Sequence, residues 1–214
     1  MEPAAWEQGG HYFEHRGQRI FFRDDGVGPD VILCLHGFPT SSWDWHKVWP
    51  GLSARHRVIA PDFMGFGLSA KPVDYPYSLM DQADIAEALL RARGIGAAHV
   101  LAHDYGDTVA QELLARHADG RISFTLRSVC LLNGGIIPGM HRPRVMQRLL
   151  HSPLGRFIGP LMSESSFRRS FSPIFGPNTS PSEDELRGYW HFIQRHHGTR
   201  VVHHLIRYMT ERRQ

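Results

Sequence analysis

The chain has 214 residues, with 24 Lys and Arg against 21 Asp and Glu, a formal charge of +3. That length supports one good-sized hydrophobic core without calling for two domains, and so small a charge makes no case for nucleic acid as a partner. The N-terminal MEPAAWEQGG lacks the apolar stretch of a signal peptide, and no run approaches the roughly 18 apolar residues of a membrane span; a cytoplasmic protein is the expectation.

HYFEHRGQRIFFRDDG, residues 11–26, reads as two short strands around Arg16-Gly17, closed by an Asp-Asp-Gly turn. DVILCLHG, 30–37, is a continuous apolar run ending in Gly, the pattern of a strand covered on both faces of a parallel sheet. RHRVIAPDFMG, 55–65, repeats that design. In SLMDQADIAEALLRARGIG, 78–96, Ile85 with Leu89 and Ala86 with Leu90 form a helical stripe, with Ser78 as N-cap and Gly94 as stop. AHVLAH, 98–103, is a third buried strand, residues 109–114 open the next helix, and LRSVCLLNGG, 126–135, is a fourth strand. Cys34 and Cys130 both fall in these apolar runs, so both are expected as buried free thiols of a reducing compartment.

Strands alternating with helices at this spacing argue for an α/β fold with a mostly parallel sheet. From Ile136 the chain turns rich in Pro, Arg, His and Met and shows no further strand-like run. Residues 1–135 are therefore read as the sheet-bearing core and 136–214 as a separate helical lid. The late arginines, Arg195, Arg200, Arg207, Arg212 and Arg213, fit a solvated helix face. His196, His197, His203 and His204 come as adjacent pairs pointing different ways, so no metal site is expected, and no cofactor motif appears.

In such a sheet, ligands bind beyond the carboxyl ends of the strands. HGFP (36–39), DFMGFGLSAKP (62–72) and the stretch around Asp104 all fall at such ends. A nucleophile elbow needs small residues flanking the reactive side chain, because the backbone turns sharply there. Ala102-His103-Asp104-Tyr105-Gly106 satisfies small-x-nucleophile-x-small. Asp is also a favoured helix N-cap; the preceding strand, the small neighbours and the upstream HGFP favour the nucleophile. The Tyr105 N–H then opens the next helix, where negative charge is stabilised, and the Phe38 N–H is in the right chain order to complete an oxyanion hole. Ser69 lacks the second small residue and follows a loop, so it is not read as an elbow.

HGFP, the D-x-x-G-x-G-x-S run at 62–69 and the Asp104 elbow together resemble the α/β-hydrolase superfamily, in its Asp-nucleophile branch of epoxide hydrolases and haloalkane dehalogenases. HDYGDTVAQELL, NGGIIPGMHRP and PIFGPNTSPSE are similar to runs of the mesoderm-specific transcript protein family. The resemblance covers nearly the whole chain. It implies that the Asp carboxylate attacks carbon to give an alkyl-enzyme ester, which water activated by a His then hydrolyses. It implies a small apolar electrophile as substrate, most simply an epoxide. The dehalogenases commonly place Trp where this chain has Tyr105, and often Asn where it has Phe38. Epoxide opening needs O–H donors from the lid: Tyr208, on a helical face with Val201 and Leu205, is the first candidate, Tyr189 the weaker one. Trp43, after HGFP, is a candidate pocket wall, with core packing the commoner fate of such a residue. Asp107 departs from the small residue general to that position of the elbow.

The resemblance also implies further strands after the lid, carrying the acid and the catalytic His. Asn133 holds the place where some relatives put the acid, and His103, held by the elbow backbone, is badly placed as a base. Two expectations follow. Either these residues are the N-terminal part of a longer hydrolase, or they form a non-catalytic relative that binds a ligand or partner. A sheet ending this early leaves an exposed edge; a short natural chain would cover it, for instance as a homodimer.

Overall fold

β-branched and aromatic runs separated by helical stripes fold into one six-stranded sheet, ordered β1-β2-β4-β3-β5-β6, in the computed structural model, which describes residues 1–135 and 143–211. β1 (Gly10–His15) and β2 (Gln18–Asp25) form a hairpin whose turn places Gly17 at φ 73°, a conformation without steric cost for Gly. β2 runs antiparallel to β4 (Arg57–Pro61). From β4 the sheet continues in parallel through β3 (Val31–Leu35), β5 (Ala97–His103) and β6 (Thr125–Leu132). The fold is α/β with a mixed, mostly parallel sheet.

Helix α1 (Pro3–Gln8), unmarked in the sequence pattern, buries Trp6 completely. A short α2 (Trp49–Ser53) precedes β4. α3 (Leu79–Ala92) starts on Ser78, whose side chain accepts from the Asp81 N–H, and stops before Gly94 at φ 66°. α4 (Tyr105–Ala118) begins four residues before the expected 109–114 stretch, directly on the elbow. Arg116 joins α3 to α4: it donates to Asp84, Glu87 and Glu112 and to the Met80 carbonyl.

Cys34 is buried as expected, but Cys130 is exposed. β6 is the sheet's edge among the described residues, and Leu126 is its only buried side chain. An apolar run alone cannot tell an edge strand from a central one.

The described part of the second region is helical: α5 (Val145–His151), α6 (Gly155–Ile158), α7 (Glu164–Phe171), α8 (Glu183–Gln194), α9 (Val202–Leu205) and α10 (Tyr208–Glu211). The IIPGMHR stretch, Arg212 and Arg213 lie outside the described residues. This layer is not walled off from the sheet. One apolar cluster runs from Leu35, Phe66 and Val109 into Val202, Ile206 and Tyr208. The helix expected to carry Val201, Leu205 and Tyr208 on one face is split between α9 and α10, yet all three side chains are buried. Among the described residues no helix is long and apolar enough to cross a membrane, and no group of His, Cys, Asp or Glu is arranged to hold a metal ion.

Arg116 is 12% exposed and faces three carboxylates. Arg116→Met should therefore cost about 3 kcal/mol in urea unfolding, because it leaves partly buried carboxylates unpaired; a loss under about 0.5 kcal/mol, the usual size for a surface change, would show that the hub contributes no more than an exposed pair.

Candidate active site

The site is built where β5 turns into α4. Asp104 takes φ 53°, ψ −105°, a left-handed backbone that costs a non-Gly residue about 1–3 kcal/mol. Asp104 occupies the N-cap position of α4, but its side chain makes no cap hydrogen bond. Its Oδ1 instead accepts from the Phe38 N–H at 2.8 Å. The Tyr105 N–H opens α4 beside the same carboxyl group and favours its charged form. Phe38 and Tyr105, from separate segments, thus turn their N–H groups toward one carboxyl group.

Close backbone approach makes this convergence fit. The Gly106 N–H donates to the His36 carbonyl at 2.9 Å, and a Cβ on Gly106 would sit 2.3 Å from the Leu35 carbonyl oxygen. The Asp104 N–H donates to the Leu132 carbonyl at 3.0 Å, tying the elbow to the end of β6. On the other side, buried His36 accepts from the Phe63 N–H at Nε2, so its proton lies on Nδ1 and is donated to the Gly37 carbonyl at 2.8 Å. Burial pushes the His36 pKa down, keeping the ring neutral.

The D-x-x-G-x-G-x-S run braces this loop. Asp62 Oδ1 accepts from the Ser42 N–H and Oδ2 from the Leu68 N–H, both at 2.7 Å. A Cβ on Gly67 would lie 2.0 Å from Asp62 Oδ2. Buried Ser69 donates to the Asp62 carbonyl and accepts from the Phe21 N–H, so it serves as a tie between β2 and this loop.

Three carboxylates gather around one imidazole. His103 Nδ1 lies 3.8 Å from Asp44 Oδ2, an ion-pair distance beyond hydrogen-bond length. Asp44 in turn accepts from the Gly37 N–H at 3.1 Å and the Thr40 hydroxyl at 2.6 Å. Burial alone would lower the His103 pKa, but Asp44, then Asp104 and Asp107, raise it overall. Burial raises the Asp104 pKa, opposed by the Phe38 N–H, His103 and the Tyr105 N–H. Burial also lifts Asp107 to about 6; its Oδ1 accepts from the Leu132 N–H at 3.2 Å, and Gly134 packs against its carboxyl.

The candidate residues divide into two groups. Tyr208 is buried with its ring 4.9 Å from Tyr105 and 5.9 Å from Phe38, beside Asp104's two donors. The Tyr105 ring lies among Phe63, Phe66 and Tyr208, with its hydroxyl on Gln82. Trp43 and Tyr189 stand in a neighbouring aromatic cluster. Trp43 stacks on His46 at 4.0 Å and donates its indole N–H to the Met1 carbonyl. Tyr189 packs edge-on against Trp43 and contacts Phe171, each at 5.0 Å, and burial raises its phenol pKa.

The family model of the alpha/beta hydrolase fold matches residues 30–169. The chain belongs to the α/β-hydrolase fold family. It is 46% identical over 224 residues to the human mesoderm-specific transcript homolog protein, across all of this chain and 67% of that one. It is 40% identical over 207 residues to the putative hydrolase LipZ of Mycobacterium tuberculosis, across 97% of this chain and 72% of that one. The haloalkane dehalogenase DbeA of Bradyrhizobium elkani USDA94 has a similar structure, with a TM-score of 0.76 at 27% identity, over 94% of this chain and 69% of that chain.

Within this α/β-hydrolase frame, the pairing of Asp44 with His103 has no counterpart in the sequence reading. No local signal marks it, because Asp44 and His103 lie on separate segments that only the sheet order brings together. Asp107 has a partial signal, an acid in the first turn of a helix, where negative charge is favoured.

Asp107 supplies a pH test. An unfolded Asp releases its proton near pH 3.9, whereas folded Asp107 holds it to about pH 6. Its contribution to stability is therefore full below the unfolded pKa and is lost as pH rises through the folded one. Asp107→Asn should gain stability relative to the parent as pH rises across that window, with the difference level above it. Parallel stability curves from urea melts at several pH values would contradict the assignment.

Proposed function

We propose that the protein is an Asp-nucleophile hydrolase of epoxide-hydrolase type, with Asp104 as nucleophile and the Phe38 and Tyr105 N–H groups as its oxyanion hole. One observation carries this reading: Asp104 sits in a strained left-handed turn, caps nothing, and has Oδ1 held by the Phe38 N–H at 2.8 Å. With Oδ1 held, Oδ2 is the oxygen that attacks.

Oδ2 attacks a ring carbon of the epoxide, the C–O bond of the ring breaks, and the released oxygen takes a proton from a phenol. Tyr208 is the donor we assign, because it packs on Phe38 and Tyr105 beside the nucleophile; Tyr189, set in the Trp43 cluster, is the second choice, and that cluster would wall the apolar side of the pocket. Water then attacks the Asp104 carbonyl carbon, and the charge on Oδ1 falls on the two N–H donors. Collapse breaks the Oδ2–carbonyl carbon bond and expels the diol; of the water's two protons one goes to the leaving alkoxide and the other returns to the phenolate, restoring phenol and carboxylate. Likeness to a haloalkane dehalogenase supports halide displacement as the alternative. Against it, Tyr105 carries no ring N–H, and its hydroxyl is turned to Gln82.

A single turnover in ¹⁸O-labelled water tests the covalent route: label should enter the Asp104 carboxylate, read by peptide mass, and not the first diol released. Asp104→Asn should give no ester adduct and no turnover. Label appearing first in the diol, or an active Asp104→Asn variant, would rule the route out. Tyr208→Phe should slow epoxide opening about 10²-fold, the low end for a lost general acid. Because burial raises the Asp104 pKa, the acid limb of kcat/KM should lie above pH 3.9, the ordinary Asp value; activity falls as the pH drops through it.

A further inference from the structure

We propose that the outward face of residues 143–161 is a docking surface for an anionic lipid membrane. Between Pro143 and Ser163 the chain has no Asp or Glu, while Arg144, Arg148 and Arg156 fall within it. The same stretch presents its large apolar side chains to solvent: Val145 is 72% exposed, Leu154 59%, Phe157 57% and Leu161 81%. Large apolar side chains this exposed, interspersed with arginines in the one stretch 143–161, suit an interaction site.

The exposure is a product of how the segment is anchored. Leu150 is 3% exposed and points into the main core cluster. Two glycines let the backbone lie flat on the lid: a Cβ on Gly155 would meet the Leu150 carbonyl at 1.9 Å and His203 at 3.1 Å, and one on Gly159 would meet the Thr199 carbonyl at 2.6 Å. With Leu150, Gly155 and Gly159 turned inward, Leu154, Phe157 and Leu161 are turned outward.

The charge on this face is uncompensated. Arg148 donates to the Pro143 carbonyl, Arg144 to the Pro173 carbonyl, and Arg156 lies 4.6 Å over the Phe157 ring. Among the described residues none of the three pairs with a carboxylate, whereas Arg16, Arg57, Arg93 and Arg116 all do. A second copy seated on this face would bring like charges together. Headgroup phosphates and phosphatidylserine satisfy the arginines, and the apolar side chains reach the acyl boundary, as in interfacial helices. The inference stands independently of the reaction proposed above. If both hold, the surface would sit on the lid that carries Tyr208 and draw apolar substrates from the bilayer.

The test is flotation of the full natural chain with vesicles of phosphatidylcholine and phosphatidylserine, and with vesicles of phosphatidylcholine alone. The protein should float with the mixed vesicles, less with the neutral ones, and less as salt rises. Arg148→Gln with Arg156→Gln should lower partition to the mixed vesicles about 30-fold, from about 1 kcal/mol per basic residue at the surface. Phe157→Ser with Leu161→Ser should lower it on both vesicles. All four side chains are exposed, so the melting temperature should not change and serves as the control for folding. A wild-type chain that stays with the soluble fraction, variants that float like wild type, or a dimer that the Phe157→Ser, Leu161→Ser pair dissociates would each overturn the proposal.

Discussion

The hydrogen bond from the Phe38 N–H to Asp104 joins two loops that are 66 residues apart in the chain, and the architecture around it serves to keep that distance. Strain at Asp104 can persist only if the surroundings over-determine it. They do so on three sides. Gly106 lets α4 pack its first turn directly on the end of β3, the Leu132 carbonyl takes the Asp104 N–H, and the neutral His36 ring fastens the loop below to the Phe63 N–H.

The same constraint explains why so many charges crowd one place. Helix α4 begins at the elbow, so its N-terminal dipole favours negative charge there. Asp104 and Asp107 both sit in that field. His103 lies between them and Asp44, whose carboxylate also holds the Gly37 N–H of the loop that supplies Phe38. Asp44 thus links His103 to the loop that supplies Phe38. The raised pKa values of His103, Asp104 and Asp107 describe one interacting set, whose macroscopic titration belongs to the cluster.

The helical region beyond the sheet does two things with two of its stretches. Its inward side chains close over the elbow, with Tyr208 packed on Phe38 and Tyr105. Among the described residues its stretch 145–161 exposes Val145, Leu154, Phe157 and Leu161 together with Arg148 and Arg156. Glycines at 155 and 159 allow the close packing beneath this face, Gly155 on the Leu150 carbonyl and Gly159 on the Thr199 carbonyl, where a Cβ would not fit. Arg116 pairs with three carboxylates between α3 and α4, whereas among the described residues Arg144, Arg148 and Arg156 pair with none.

The sequence by itself determined the sheet strands and helix α3, the order of loop and elbow, and the sharp turn at Asp104, but neither α1 nor the break between α9 and α10. These depend on local period, small flanking residues and cap chemistry, all of which act within a few residues. Start points were less legible: α4 opens at Tyr105 rather than near 109, because the elbow geometry extends the helix beyond its apolar stripe. Only the tertiary structure decided that Cys130 lies on an edge strand, that Trp43 and Tyr189 pack with each other, and that Asp44 comes to His103 beside Asp104. Each outcome rests on contacts between distant segments. Sheet order and the packing of α4 against β3 and β6 set those contacts, and no single stretch of the chain encodes them.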